Sequence, residues 1–288
     1  MKRLTQASLF VDTGDPGEAE KVQGMVQGAG YGGLDGATTN PSYFAKNPEV
    51  QTRIKEGKKY TREELLGAYR EAVEKLLEII PGGDISVEVY ADATTLAEEM
   101  IRQAREMYTW IPTARIKLPT VKQGLIAAET LKNELRLNMT LCFSQQQAAA
   151  VYSATAGAKE PVVISPFVGR LDDRGENGVQ FVSNVVRMLK QGDGHVKVLA
   201  ASFRRVENIL AIIQAGADIL TINYERFQLW ADAGFPLPDE NFTYVFEGKD
   251  ISYEEIELGK PWREYNLHHE LTDVGLKRFS DDWNALLK

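Results

Sequence analysis

Lys117 stands near the end of a short apolar run, Ala114-Arg115-Ile116-Lys117-Leu118-Pro119, that reads as a buried strand. Lysine is rarely buried without a partner or a purpose. A desolvated amine holds its proton less tightly, and the free amine is a nucleophile for carbonyl carbon. Attack on a ketone gives a carbinolamine and then an iminium ion, an electron sink through which the neighbouring carbon–carbon bond can break or form. An ordinary amine, with a pKa of about 10.4, must be shifted by about three units to be free near pH 7. Such a reaction also needs a group that moves protons at a substrate hydroxyl. Asp12 ends the run Ser8-Leu9-Phe10-Val11-Asp12-Thr13, and Glu88 lies in Asp84-Ile85-Ser86-Val87-Glu88-Val89. Either carboxylate could serve, directly or through a water held by Thr140.

The elements that must position these groups follow from periodicity. Eight short apolar runs cover residues 8–13, 33–39, 84–89, 114–118, 138–143, 162–167, 196–202 and 219–223, and several are rich in β-branched residues and bounded by Gly, Pro, Asn or Ser. Helical spacing fills most of the intervals: Thr61 to Ile80, Thr94 to Trp110, Val121 to Arg136, Ser144 to Ala156, Val179 to Leu189 and Val206 to Ala215. Thr61 and Glu64 have the spacing of a capping box, and Gly157 and Gly216 sit where helices should stop.

This alternation predicts an α/β fold with a parallel sheet. Eight near-equal units favour a single (β/α)8 TIM-type barrel over an open doubly wound sheet. Residues 235–266 read as an excursion over the barrel surface, and 267–288 as a terminal amphipathic helix through Leu271, Leu276, Phe279, Trp283 and Leu286. The expectation is one domain over 1–288, with 224–288 as a C-terminal helical extension packed on the barrel.

Residues two apart on a strand share a face. In five of the eight runs the polar residues have one parity and the apolar residues the other. The polar set should face into the barrel, and active sites of such barrels lie at the C-terminal ends of the strands. Asp12, Asn40, Glu88, Lys117, Thr140, Ser165 and Ser202 all fall there. The structural alternative is a layered polar core with a Lys117–Glu88 ion pair, although such a pair adds little net stability. Arg170 follows the sixth run and Arg204 the seventh. With strand-end serines and helix N-terminal amides, two arginines there make an anion site suited to the phosphate of a small sugar.

Composition bounds the alternatives. The chain has 288 residues and a formal net charge of −8, which argues against broad attraction to nucleic acid or anionic membrane. Cys142 is the one cysteine, so no intramolecular disulfide is possible. No apolar stretch has the length of a signal core or membrane span, and a cytoplasmic protein is expected. No metal is expected: no Cys/His cluster is present, and His269-Glu270-Leu271-Thr272-Asp273 lacks the second histidine of a zinc-protease helix. Gly30-Tyr31-Gly32-Gly33-Leu34-Asp35 fails the dinucleotide pattern, and no cofactor is expected.

Five segments carry a family resemblance: Gly36-Ala37-Thr38-Thr39-Asn40-Pro41-Ser42, Ile116-Lys117-Leu118-Pro119, Asn138-Met139-Thr140-Leu141-Cys142-Phe143-Ser144, Ile164-Ser165-Pro166-Phe167-Val168-Gly169-Arg170 and Ala201-Ser202-Phe203-Arg204. In this order they resemble the transaldolases, Schiff-base enzymes on a (β/α)8 barrel. The resemblance implies transfer of a dihydroxyacetone unit from a ketose phosphate to an aldose phosphate. It makes Lys117 the Schiff-base lysine and Asp12 the acid–base residue, with Glu88 and Thr140 holding a catalytic water. Asn40 and Asn138 would bind sugar hydroxyls and the lysine adduct, Ser165 and Phe167 would lie near the substrate, and Arg170, Ser202 and Arg204 would take the phosphate. The related fructose-6-phosphate aldolases carry tyrosine where Phe167 stands and commonly glutamine where Glu88 stands. The implied partners are small sugar phosphates and further copies of the chain in a homo-oligomer.

Overall fold

The runs of Val, Ile and Leu that the periodicity picks out are buried on both faces, as parallel strands covered by helices must be. The computed structural model describes residues 2–288. Strand β1 (Ser8–Asp12) leads to helix α1 (Pro16–Gly28). Strand β2 (Gly36–Thr38) is followed by α2 (Pro41–Phe44), α3 (Pro48–Lys55) and α4 (Arg62–Ile79). Then β3 (Asp84–Glu88) precedes α5 (Ala97–Tyr108), β4 (Ala114–Pro119) precedes α6 (Lys122–Leu131), and β5 (Leu137–Cys142) precedes α7 (Gln145–Ala154). After β6 (Val162–Pro166) come α8 (Gly169–Asp172) and α9 (Gly178–Leu189). Last are β7 (Val196–Ala200), α10 (Val206–Ala215), β8 (Ile219–Ile222), α11 (Tyr224–Asp232) and α12 (Glu270–Asn284).

The strands pair in sequence order, all parallel, and close into a barrel through β8 on β1, with Ser8 opposite Ile219 and Val11 opposite Ile222. The expected (β/α)8 barrel is therefore the observed one. Thr61 and Glu64 do form a reciprocal capping box at the start of α4. Helix α10 ends on Gly216 in the left-handed conformation at φ 80°. Most helices are shorter than the periodicity suggests: α5 starts at Ala97 rather than Thr94, and α6 stops at Leu131 rather than Arg136. The apolar period continues past the point where the backbone turns towards the next strand.

Inward and outward faces alternate as parity requires, with one exception. Leu141 has φ 60°, and the β5–β6 register shifts between Met139 and Cys142. A left-handed residue breaks the alternation. Cys142, which shares the parity of Asn138 and Thr140 in the sequence, does not join Thr140 on the cavity wall, and its thiol lies 3.6 Å from the Ser144 carbonyl.

Gly36 on β2 lies close against its neighbours in the inner layer. A Cβ there would come within 2.2 Å of the Asp84 carbonyl and 2.8 Å of the Phe10 ring, so a glycine leaves room for the phenyl group.

Residues 233–269 contain one 3-10 turn, Trp262–Glu264, and run back around the barrel over its helices. Asn177, the N-cap of α9, bonds Asp250, Asn184 on α9 bonds the Ile251 carbonyl, Gln145 on α7 bonds Glu254, and Trp262 reaches Glu129 on α6. This strap delivers α12 to the C-terminal mouth. Leu276, Phe279, Trp283 and Leu286 of the expected terminal stripe are buried, and Trp283 packs against Phe44 and Tyr69 at centroid distances of 5.9 and 5.7 Å. No helix among the described residues is long and apolar enough to cross a membrane.

Candidate active site

A cavity of about 190 Å³ opens at the C-terminal mouth, lined by strand ends below and by loops and α12 above. The inward parity of β1, β2, β4, β5, β6 and β8 delivers Asp12, Thr38, Lys117, Thr140, Ser165 and Thr221 to it. Asn40, Phe167, Arg170, Ser202 and Arg204 complete the predicted residues on its wall. Glu88 and Asn138 belong to the same constellation but sit behind that wall, both buried.

The Lys117 side chain is 5 % exposed, and its Nζ lies 2.9 Å from Glu88 Oε2 and donates to the Thr39 carbonyl at 2.9 Å. The ion pair weighed as the structural alternative is thus present, and the same amine also faces the cavity. An ammonium has three donors, so one N–H remains for the cavity side. Burial raises the proton affinity of Glu88 even though Lys117 opposes the shift. A buried carboxylate that resists ionisation is a ready acceptor for a proton leaving the amine. Tyr69 fixes this corner from outside the barrel: its hydroxyl accepts from Glu88 N at 3.0 Å and hydrogen-bonds with Thr39 Oγ1.

Asp12 accepts from Thr38 Oγ1 at 2.7 Å, and Thr38 in turn meets Thr221 Oγ1 at 2.6 Å. Burial raises the Asp12 carboxyl above the usual range, against the pull of Lys117, the Thr38 hydroxyl and Arg170. Thr140 is fully buried and its hydroxyl has no hydrogen-bond partner among the described residues, so it is free to hold a water or a substrate hydroxyl. Asn138 is committed on both sides, donating to Ser86 Oγ at 3.1 Å and accepting from Ser165 Oγ at 2.6 Å. Asn40 caps α2 by accepting from Tyr43 N at 2.9 Å, which leaves its amide N–H groups for the cavity.

The cationic side is built after β6 and β7. Ser202 has φ 67°, a left-handed conformation that costs a non-glycine residue about 1–2 kcal/mol. It turns the chain so that Arg204 Nη1 donates to Ser202 Oγ at 3.1 Å. Arg204 also chelates Asp173 through Nε and Nη2, at 3.0 and 2.7 Å. Arg170 has no carboxylate within salt-bridge distance among the described residues. Its guanidinium lies 5.0 Å from the Phe167 ring and 5.3 Å from Phe279, and its Nη1 is buried without a partner. Burial and the charges of Arg278 and Arg204 lower its pKa to about 10.

The residues missed by sequence reasoning fall in two groups. Thr38, Thr221 and Asn223 follow the strand parity and were legible from it. Tyr43, Lys46, Arg278 and Phe279 also line the cavity; their arrival depends on the α2 turn and on the path of the strap, for which periodicity carries no signal.

The described residues include no group of three or more His, Cys, Asp or Glu side chains able to hold a metal ion. The arrangement sets a buried amine and two carboxyl groups of raised proton affinity at one end of a cavity and arginines at the other.

Barrel, buried lysine and cationic rim place this chain in the class of (β/α)8 barrels with a candidate site at the C-terminal mouth, where enzymes of this fold keep their active sites. Comparison with known proteins narrows it. The model of the Transaldolase/Fructose-6-phosphate aldolase family matches residues 9–288, and the chain belongs to that family. It is 30% identical over 281 residues to a probable transaldolase of Dehalococcoides mccartyi, covering 97% of this chain and 99% of the relative. It is 33% identical over 282 residues to a probable transaldolase of Bdellovibrio bacteriovorus, with 97% and 99% covered. A probable transaldolase of Thermus thermophilus is 32% identical over 279 residues, with 96% and 98% covered.

Proposed function

We propose that the enzyme is a transaldolase that works through a Schiff base on Lys117. The observation that carries this reading is the placement of the Lys117 amine between the Glu88 carboxyl and the cavity, with Asp12 on the same wall. The amine gives up a proton, adds to the C2 carbonyl of a ketose phosphate, and loses water to form the iminium. Asp12 takes the C4 hydroxyl proton as the C3–C4 bond breaks, and an aldose phosphate leaves. The bonding electrons remain on C3 as the enamine. That carbon adds to the aldehyde of a second aldose phosphate, whose oxygen takes the proton back from Asp12. Water then hydrolyses the new iminium and frees Lys117. Glu88 carries the proton of the amine, and Thr140 holds the water used in dehydration and hydrolysis. Asn40 and Ser165 orient the sugar, with Asn138 holding Ser165 from behind the wall, while Arg170, Ser202 and Arg204 bind the phosphate. No cofactor enters this sequence. The barrel and residues 224–288 act as one domain.

Phe167 favours transfer over simple cleavage. It packs on Phe143 at 5.4 Å and under Arg170, and offers no hydroxyl to activate water at the enamine. Borohydride reduction with fructose 6-phosphate should leave a three-carbon adduct on Lys117, detected by peptide mass and absent in Lys117→Ala. No adduct on Lys117 would end the Schiff-base reading. Turnover of fructose 6-phosphate alone to free dihydroxyacetone, at the rate seen with an acceptor, would make the enzyme an aldolase.

A further inference from the structure

The charges around the phosphate end do not balance with the predicted residues alone. Arg204 is neutralised by its two-pronged bond to Asp173, so Arg170 is the one predicted arginine left without a counter-charge. A phosphate monoester carries about −1.5 to −2 at pH 7 and calls for a second free cation.

Arg278 lies on the same cavity, carried by α12. Its nearest carboxylate, Asp282, is 3.8 Å away and already accepts from Ser42 Oγ. The helix is fitted to this corner. Phe279 covers the Arg170 guanidinium, and Gly275 packs so close that a Cβ there would fall 2.5 Å from Arg170 Nη1 and 2.6 Å from Leu141 Cδ2. Lys46 on the wall has no ion pair among the described residues, but it sits over the Tyr43 ring, 5.5 Å from its centroid, on the α2 side. The charge of Arg278 is felt at Arg170, alongside that of Arg204. Like charges held near each other around a cavity mark a place for an anion.

We propose that Arg278 is a specificity-determining residue, adding to Arg170, Ser202 and Arg204 a further positive charge, held only by its long contact to Asp282, that binds the substrate phosphate. The assignment rests on the sugar-phosphate reading above. It makes α12 part of the substrate site.

The test uses the full-length enzyme, with Arg278→Gln, Arg278→Lys and, as a control for the general field, Lys277→Gln. Lys277 is exposed, pairs with Asp281 and does not line the cavity. The ratio of kcat/KM for fructose 6-phosphate to that for fructose should fall about tenfold in Arg278→Gln, through KM, and by less than threefold in Arg278→Lys. The Kd for inorganic phosphate, measured by calorimetry without turnover, should rise about tenfold in Arg278→Gln and stay at the parent value in Lys277→Gln. Equal losses on both sugars, an unaltered phosphate Kd, or the same shift in Lys277→Gln would each overturn the proposal. A missing Lys117 adduct with the phosphate shift intact would overturn the Schiff-base reading and leave the anion assignment standing.

Discussion

Strands β3 and β4 each carry a charged pair inside the barrel, and the two levels behave differently. Near the N-terminal floor, Arg115 chelates Asp84 through Nε and Nη2, at 3.0 and 2.8 Å, while its Nη1 donates to the Leu137 and Pro161 carbonyls at 3.2 and 2.9 Å. Arg136 adds a second cation to Asp84. At the mouth, two residues further along β4 and four along β3, Lys117 meets Glu88 with fewer bonds and a cavity beside it. At the floor nearly every donor is satisfied, so the charges are fixed. At the mouth the Thr140 hydroxyl and Arg170 Nη1 lack partners among the described residues, and two carboxyl groups are held with raised proton affinity. The same ion-pair chemistry thus fastens the sheet at one end and stands beside open space at the other.

Substitutions should separate the two levels. The largest effect is expected for Lys117→Ala, which should lower transfer activity by a factor on the order of 10³ or more while leaving the fold intact; steady-state kinetics and circular dichroism check both halves. Asp12→Asn should lower kcat by about 10²- to 10³-fold and yet raise stability at neutral pH by on the order of 1 kcal/mol. The sign follows from linkage. A carboxyl whose folded-state pKa lies above its unfolded value binds more protons when folded, so its contribution weakens as pH rises above the unfolded pKa. The gain in Asp12→Asn should therefore shrink as pH falls to the ordinary carboxylate range, which urea titrations at pH 4 and pH 8 would show.

Arg115→Met should do the reverse. Breaking the buried pair should destabilise the fold by about 3 kcal/mol, while kcat of the folded fraction changes less than twofold. A floor variant that lost activity without losing stability, or an Asp12→Asn protein less stable than its parent at pH 8, would erase the contrast. The smallest effect concerns Cys142. Burial pushes its thiol up to about 12, so iodoacetamide should not modify it in the native enzyme at pH 8 but should do so in urea.

Much of this arrangement was legible in residue order. Period-two alternation placed Asp12, Lys117 and Thr140 on one face because each strand is covered by helices outside and lined by polar groups within. Alternation could not place Cys142, since one left-handed residue at Leu141 reverses the count. It also could not tell that Arg115 and Lys117, alike in parity, belong to opposite ends of the barrel. That distinction depends on depth along the strand and on which carbonyls come within reach. The arginine and aromatic rim from α12 was hidden for another reason. Leu276, Phe279 and Trp283 announce a buried stripe, but what the stripe covers is decided by a strap of 233–269 held through side chains of α6, α7 and α9.

That strap also sets an order of events during synthesis. All eight strands have left the ribosome by Ile222, whereas the segment bearing Gly275, Arg278 and Phe279 emerges only after the strap. The residues that wall this side of the cavity are therefore the last part of the fold to be made, and a chain cut short within the strap would carry every strand yet lack that wall.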